Sequence, residues 1–344
     1  MKILSRLGAL ALAIALCLTP ETANAWGSDG HIMINRTAAL AMPRSMPFFL
    51  RNAVSRIAYL GPEPDRWRSR TEIELKQSQE PDHFLNYERL QAFGDLPPGR
   101  YDFYKRAYER YSAAQKAATS DAEKKEAEEL LPNNIGLQPY IVMEVYGRLK
   151  VALREYRKLK KAGQPTRGAE TAAIVYAGWL GHYVADASQP LHCTIYYDGW
   201  SGPNPNGYTT THGIHANFES VFVARNLAKL QFRDRMHAPM KLDHPFKDYM
   251  QYIRDSNALV ENVYQLDKAG AFKEEGNAAG LEFTRDRLAA GAQMLLNLWY
   301  TAWLESADLE AGQYRPESKP AVPPITPKPA APKPEESAPK SHPK

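Results

Sequence analysis

The feature that most constrains the fold is a series of long segments in which apolar residues recur every three or four positions. That spacing lines one face of an α-helix with apolar side chains, whereas the two-residue alternation of β-strands is scarce in this chain. The segments with helical spacing are His31–Met42, Asn134–Leu159, Glu170–Asp186, Gly213–Phe232 and Phe283–Leu304. We therefore predict a mainly α fold, organised as a single domain.

The first 25 residues have the composition of a secretion signal. A positively charged start precedes the apolar, uncharged run Leu7–Leu18, and residues 23–25 are the small-x-small sequence that a signal peptidase recognises. The apolar run is too short to cross a membrane as a helix. We therefore predict that residues 1–25 are a signal peptide and that cleavage exposes Trp26. The protein is then expected to be secreted or periplasmic, without a transmembrane anchor.

The other end of the chain lacks the residues needed for a hydrophobic core. Residues 313–344 are mainly Pro, Ala, Lys, Ser and Glu, so burial of apolar surface cannot offset the entropy lost on ordering them. We predict a disordered tail there, which serves either as a spacer or as an attachment to the cell envelope. The folded domain then spans residues 26–312. Its one cysteine, Cys193, allows no intramolecular disulfide, and bound metal ions are another source of rigidity.

Charge limits the kinds of partner that the chain can hold. Lys and Arg number 43 and Asp and Glu number 39, and most of the excess lies in the two terminal segments. The domain therefore lacks the strongly basic surface that proteins use to grip duplex phosphates. A basic run at residues 148–161 is either a solvated helix face or a polyanion-binding patch. An anionic substrate must otherwise be held by a local site.

The densest group of chemically active residues surrounds His182. Asp186 follows four residues later, which places an imidazole and a carboxylate one turn apart on the same helix face, and His192 lies just beyond the helix end. His215 and Glu219 repeat the four-residue spacing. Imidazole and carboxylate without thiolate suit a catalytic zinc site better than a structural one. Each pair alone also fits a buried core pair or a surface ion pair.

Further candidates lie near the start of the domain. Cleavage before Trp26 leaves a free amino group and a carbonyl oxygen that can chelate one metal ion, and His31 can complete that site. Asp65 lies in a Pro-rich segment and His83 in the sequence Pro-Asp-His-Phe. An isolated Asp in such a segment is usually a turn or cap residue, and Trp26 alone is merely the first residue after cleavage.

Taken together, these residues resemble the trinuclear zinc superfamily that joins the S-one/P-one single-strand-specific nucleases to the bacterial zinc phospholipases C. The resemblance covers roughly Trp26 to Leu304. Its positions, in chain order, are Trp26, His31, Asp65, His83, His182, Asp186, His192, His215 and Glu219. It implies a single-domain, mainly α fold of the phospholipase C/nuclease type with a cleft that holds three zinc ions.

The resemblance also implies a role for each position. The ligand sets are Asp65, His83 and His182 for the first zinc; Trp26, His31 and Asp186 for the second, with Asp186 bridging to the first; and His192, His215 and Glu219 for the third. A zinc-activated hydroxide between the first two ions would attack phosphorus, and the third ion would stabilise the leaving oxygen. Asp65 would orient the nucleophile, and Arg68 would contact the phosphate unless it simply faces solvent.

Two positions bear on the choice of substrate. Phe84 follows His83 where the nucleases place an aromatic ring that stacks on a base, and Asn86 stands where they use a base-reading Asp. Glu219 favours the other branch, because the phospholipases use Glu and the nucleases Asp at that position. The segment before His182 is longer than is usual in either branch.

We therefore expect a monomeric endonuclease that cleaves single-stranded nucleic acid and depends on three zinc ions. A zinc phospholipase C acting on phospholipid is the alternative. A non-enzymatic, zinc-stabilised binding protein of the cell envelope is a further alternative, which the presence of every ligand position disfavours.

Overall fold

The computed structural model of the protein describes residues 26–273 and 275–310. Within these residues the chain is mainly α-helical and forms no β-strand, and an isolated bridge joins Tyr197 to Gly199. The prediction of a mainly α fold is thus confirmed. Residues 26–309 belong to one compact unit. The predicted signal peptide and the predicted tail at 313–344 lie outside the described residues.

Most elements follow one another with short connections, and the longest segment without helix among the described residues is 194–213. The α-helices are α1 (Gly27–Leu40), α2 (Phe48–Arg51), α3 (Val54–Tyr59), α4 (Glu63–Arg66), α5 (Ile73–Gln79), α6 (Arg100–Ala117), α7 (Asp121–Glu128), α8 (Pro132–Ile135), α9 (Gln138–Lys161), α10 (Arg167–Asp186), α11 (Ile214–Ala216), α12 (Val223–Asn226), α13 (Pro245–Asn257), α14 (Val260–Lys268) and α15 (Ala278–Glu305). Turns of 3-10 helix span Glu80–His83, Tyr87–Ala92, Pro190–Cys193 and Arg233–Arg235. None of the helices in the described ranges is both long and apolar enough to cross a membrane.

Helix α10 lies at the centre of the fold, against α9, α1 and α15. Its small residues let neighbouring elements approach closely. A Cβ atom on Gly181 would lie 1.8 Å from Oδ1 of Asn35, and one on Gly178 would lie 2.4 Å from the Leu60 side chain. Asn35 in turn donates from Nδ2 to the backbone oxygens of Ile57 and Gly178, at 2.9 and 3.0 Å. This close packing fixes the C-terminal half of α10 against α1.

The helix predicted at Asn134–Leu159 is divided into α8 and α9 at Gly136. Gly136 has a φ of 97°, a conformation that favours glycine. A Cβ atom there would lie 2.2 Å from the carbonyl oxygen of Phe84, and the N–H of Gln138 donates to that same oxygen at 3.3 Å. The break therefore results from a close tertiary approach, which the spacing of apolar residues does not reveal.

The helix predicted at Gly213–Phe232 is shorter and less regular in the structure. A turn of π-helix, Asn217–Phe222, joins α11 to α12, and helical structure ends at Asn226. The buried Asn226 side chain donates from Nδ2 to the oxygen of Phe222 at 2.9 Å, so it binds the backbone near the helix end. The π-turn, a type of irregularity often found at functional sites, contains Glu219.

Helix α6 and the basic run on α9 both contribute to packing. Phe103 of α6 is buried and stacks on Tyr140 of α9, with ring centroids 5.0 Å apart, so α6 is anchored to the core. The basic run on α9 holds the end of α15. Lys150 contacts Glu305 at 2.8 Å, and the Arg157 guanidinium lies 3.3 Å from the Trp303 ring centroid. These two cations therefore contribute to the packing of α15 against α9.

Candidate metal centre

The start of the described chain is anchored beside the end of α10. The buried indole of Trp26 donates from Nε1 to the oxygen of Ala185 at 2.8 Å and to Oγ of Ser188 at 2.9 Å. These two residues flank Asp186, so the Trp26 side chain holds the N-terminus of α1 next to that carboxylate. The Trp26 carbonyl oxygen accepts from the N–H of Gly30 at 3.0 Å as the first bond of α1.

Five buried or nearly buried side chains form what we call the paired site, namely His31, Asp65, His83, His182 and Asp186. Nε2 of His182 lies 3.0 Å from Nδ1 of His83 and 3.4 Å from Oδ2 of Asp186. The other oxygen of Asp186, Oδ1, lies 3.4 Å from Nε2 of His31. The two oxygens of one carboxylate therefore face different histidines, as expected of a residue that bridges two ions.

Three further side chains form what we call the separate site, namely His192, His215 and Glu219. The Nε2 atoms of His192 and His215 lie 3.0 Å apart, and Oε2 of Glu219 is 3.3 Å from the first and 2.9 Å from the second. His192 lies in the 3-10 turn that follows α10, whereas α11 and the π-turn carry His215 and Glu219. The four-residue spacing of the last two places them together on one helical face.

Backbone carbonyls fix the orientation of several of these imidazoles. Nδ1 of His182 donates to the backbone oxygen of Gly61 at 2.9 Å. Nδ1 of His192 donates to the backbone oxygen of His83 at 2.8 Å, and Nδ1 of His215 donates to that of Tyr197 at 3.0 Å. A proton held at Nδ1 leaves the Nε2 lone pair available, which is the arrangement that metal-bound histidines use. His83 instead presents its Nδ1 to the paired site.

The two sites differ in electrostatics. Burial raises the pKa of Asp65 to about 7, although Arg68 opposes the shift, and burial also raises the pKa of Asp186 well above its usual range. Burial lowers the pKa of His182. At the separate site burial also acts against the charged form of Glu219, but the neighbouring histidines outweigh it and hold its pKa at about 2.

The donor atoms fit a group of divalent cations. Oδ1 of Asp186, Oδ2 of Asp65 and Oε1 of Glu219 are buried without a hydrogen-bond partner, which is costly for a carboxylate oxygen unless a cation binds it. The donors fall into the sets His31, His182 and Asp186; Asp65, His83 and His182; and His192, His215 and Glu219, each within 4.8 Å. Nitrogen and oxygen donors without thiolate suit zinc. Hence the structure brings eight of the nine predicted ligand residues together in these groups. The ninth, Trp26, is placed by its indole, which bonds Ala185 and Ser188 on either side of Asp186.

A cleft of about 890 Å³ opens over the two sites, and its walls include His83, His192 and His215. The predicted substrate residues Arg68, Phe84 and Asn86 line it as well. Nη1 of Arg68 lies 3.4 Å from Oδ1 of Asp65, so its charge is directed at the paired site. Nδ2 of Asn86 donates to the backbone oxygen of Asn134 at 2.7 Å.

Sequence reasoning missed several residues that support the separate site. Gln189 donates from Nε2 to Glu219 at 3.0 Å and accepts from the N–H of Leu191 at 2.6 Å. Asp198 accepts from the N–H groups of Gly213 and His215, at 2.7 and 3.2 Å. Asp198 precedes a glycine in a Gly- and Asn-rich segment, which is a recognisable turn signal, but nothing local shows which helix it caps.

Comparisons with known proteins find only distant similarity. No protein-family model matches the chain. A protein of Bradyrhizobium tropiciagri described as a probable serine protease is 26% identical in an alignment of 163 residues. The alignment covers 38% of this chain and 20% of that protein. Among solved structures, alpha-toxin from Clostridium absonum aligns with a TM-score of 0.35 and 14% identity over 85% of this chain and 66% of the toxin. The alpha-toxin of an avian strain of Clostridium perfringens aligns with a TM-score of 0.31 and 13% identity over the same shares.

The chain thus spans a fifth of the length of the curated relative and 66% of the length of each toxin.

Proposed function

We propose that the protein is a secreted, zinc-dependent phosphodiesterase that cleaves single-stranded nucleic acid. One observation carries this proposal. Buried histidines and carboxylates form two adjoining sites in a single cleft that also contains a guanidinium, an aromatic ring and an amide, those of Arg68, Phe84 and Asn86.

The side chains have separate tasks in this proposal. Zinc ions, when bound, supply positive charge to phosphate oxygens and lower the pKa of water. Asp186 would hold two ions together through its two oxygens, and Asp65 would orient the attacking water by accepting its hydrogen bond. Arg68, beside Asp65, would hold a phosphate oxygen near that water, because a guanidinium can donate two parallel hydrogen bonds.

Phe84 and Asn86 favour a nucleic acid over a lipid. The Phe84 ring lies close to Gly136, where a Cβ atom would come within 2.8 Å of Cδ2, so the ring has a rigid support and can offer its other side to a base. Base stacking of this kind requires unpaired bases, since a duplex hides their faces. The Asn86 amide nitrogen already donates a hydrogen bond to the backbone oxygen of Asn134. Asn86 therefore retains an acceptor oxygen for a base edge, without the charge of an Asp.

The experiment that tests the proposal compares four substrates with purified protein that begins at Trp26 and contains zinc. We expect hydrolysis of single-stranded DNA or RNA, and little of phosphatidylcholine; 3′-mononucleotides show whether a second nucleotide is needed. Phe84→Ala should raise KM for nucleic acid more than it changes the hydrolysis of an aryl phosphodiester.

The competing functions give different outcomes in the same experiment. Hydrolysis of phosphatidylcholine without cleavage of nucleic acid would identify a phospholipase C, the branch that Glu219 favours. Binding of zinc without hydrolysis of any substrate would instead support a binding protein of the envelope.

A further inference from the structure

A buried glutamine at the start of α9 bonds the backbone of the paired site. The Gln138 side chain is polar but fully buried. Its Nε2 donates to the backbone oxygen of His83 at 3.3 Å and to that of Tyr183 at 3.2 Å. Because Tyr183 directly follows His182 on α10, one amide nitrogen bonds the backbone beside two candidate metal ligands.

These two histidines belong to one donor set, which also contains Asp65. Nε2 of His182 lies 3.0 Å from Nδ1 of His83, although one residue is on α10 and the other in the 3-10 turn Glu80–His83. Two ligands of one ion must be held to within about 0.5 Å of their working positions. The turn and the helix must therefore keep a fixed separation, and Gln138 is bonded to both of them.

The backbone at the start of α9 holds the same turn. The N–H of Leu137 donates to the oxygen of Pro81 at 2.6 Å, and the N–H of Gln138 donates to that of Phe84 at 3.3 Å. The bonded oxygens lie on both sides of His83 in the chain. The Gln138 side chain therefore reaches α10 from a backbone that is already fixed against the turn.

Neither packing nor the pairing of backbone groups requires an amide here. Oε1 of Gln138 is buried without a hydrogen-bond partner, which is unfavourable for a polar atom. Each of the two carbonyls also has another donor: Nδ1 of His192 bonds the oxygen of His83 at 2.8 Å, and the Tyr249 hydroxyl bonds that of Tyr183 at 3.2 Å. What Gln138 adds is the link between the two carbonyls.

We infer that Gln138 is a positioning residue of the metal centre. It sets the separation of His83 and His182, and with it the affinity for the ion that these histidines share with Asp65. The inference rests on the zinc centre of the proposed function and adds a residue outside the ligand sets. It applies equally to a nucleic acid and to a phospholipid substrate, because it concerns the ion.

The test removes the two donors and keeps the length of the side chain. Gln138→Met should lower the affinity of the paired site for zinc about 10- to 100-fold, as loss of a partner that supports a ligand does. Competition with a zinc chelator measures this. The separate site should keep its affinity, because His192 still bonds the carbonyl of His83. The visible absorption of the cobalt-substituted protein should also change, since it reports the ligand geometry of the bound ion.

Two further variants separate positioning from a general loss of stability. Gln115→Met removes an amide of α6 that donates to the backbone oxygen of Lys124 at 2.7 Å, and it should leave the zinc affinity and the cobalt spectrum unchanged. Gln138→Asn keeps the amide on a side chain shorter by one methylene, so its zinc affinity should lie between those of wild type and Gln138→Met. This variant decides the test if Gln138→Met does not fold.

Wild-type zinc affinity and an unchanged cobalt spectrum in the deciding variant would overturn the role of Gln138, even if its melting temperature were lower. An equal loss of affinity at both sites would also overturn it. Either result would leave the proposed function intact. Absence of zinc from the active wild-type protein would overturn the proposed function itself, and this inference with it.

Discussion

The paired site and the separate site are built from the same kinds of side chain, but their charges are balanced differently. At the separate site one carboxylate, that of Glu219, faces two histidines and Gln189, and its pKa is held at about 2. At the paired site two buried carboxylates have raised pKa values, and Arg68 is the cation that opposes both shifts. The protein therefore stabilises the charged carboxylate in one site and not in the other.

The two sites also differ in how they are assembled from the chain. The separate site uses residues between 189 and 219, whereas the paired site joins α1, α4, the turn before Phe84 and α10. Ions at the paired site would thus link distant segments and neutralise unbalanced charge. An ion at the separate site would bind residues that are close together in the sequence, and the carboxylate there already contacts Gln189 and two histidines. We expect the paired site to contribute more to both zinc dependence and stability.

Removal of zinc should have the largest effect. Chelation of the protein that begins at Trp26 should abolish hydrolysis and lower the melting temperature, because ligand binding stabilises the folded state by about 4 kcal/mol at a thousandfold excess over Kd. Metal analysis should give three zinc ions per chain before chelation, and reloading should restore activity. Active protein without zinc would contradict the proposed chemistry at both sites.

Substitution of a single carboxylate should distinguish the two sites. Asp186→Asn should lose most of the zinc of the paired site, because each carboxylate oxygen faces a different histidine. Glu219→Gln should lose only the ion of the separate site. Quantification of bound zinc measures both, and Glu261→Gln, a carboxylate that bonds Tyr208 and Asn206, is the control. Equal zinc loss in the two variants would show that Asp186 is not a bridge.

Extension of the chain before Trp26 should weaken the paired site alone. An added residue converts the free amine into an amide, which has no comparable lone pair for zinc. We compare protein that begins at Trp26 with protein that carries one extra glycine, and expect loss of one zinc ion and of most activity. Full activity with the extra residue would remove Trp26 from the ligand set, while the rest of the centre would stand.

The features predictable from sequence were those with local periodicity. The pairs His182 with Asp186 and His215 with Glu219 follow from helical spacing alone, and the mainly α fold follows from the spacing of apolar residues. The division of the helix at Gly136 could not be predicted in this way. It depends on the approach of the Phe84 carbonyl from a distant segment. A glycine within a helical pattern is by itself only weak evidence that the helix breaks there.

Residues that support the site were equally hidden in the sequence. Gln189 and Tyr197 act through contacts with Glu219 and His215, which are 30 and 18 positions away. Such contacts depend on how the segments fold together, and neither residue carries a motif of its own. The candidate ligands could therefore be predicted from the sequence. The residues that hold them in place, and many of those that line the cleft, could not.

Loss of Gln189 should have a moderate effect, confined to the separate site. Gln189→Ala removes the N–H that bonds Glu219 at 3.0 Å, and loss of such a supporting partner typically costs 10- to 100-fold in metal affinity. Competition with a zinc chelator should show one ion released more readily and two unchanged. Gln164→Ala, a substitution of an exposed glutamine, is the control. Weaker binding of all three ions would mean that the two sites are coupled.

The smallest expected effect is a difference in the pH dependence of stability, measured by urea unfolding of the chelated protein. The folded-state pKa of Asp65 is raised to about 7, so its contribution to stability is present below about pH 4 and lost as pH rises toward 7. Glu219 has the opposite sign. Its pKa is lowered to about 2, so its contribution is present above about pH 4.5 and lost as pH falls toward 2.

Asp65→Asn should therefore gain stability relative to the wild type between about pH 4 and 7, by on the order of a few kcal/mol. Glu219→Gln should differ in slope from the wild type below about pH 4.5. It should also differ where His215 titrates, because Glu219 raises the pKa of that histidine. Burial lowers the pKa of His83 and His182, which removes stability as pH falls through the same range. Those histidines are present in the wild type and in both variants, so their contribution largely cancels in the difference between curves. The difference for Asp65→Asn includes the relief of Asp186, whose pKa Asp65 raises. Parallel curves for Asp65→Asn and the wild type would show that the paired site is as well balanced in charge as the separate site.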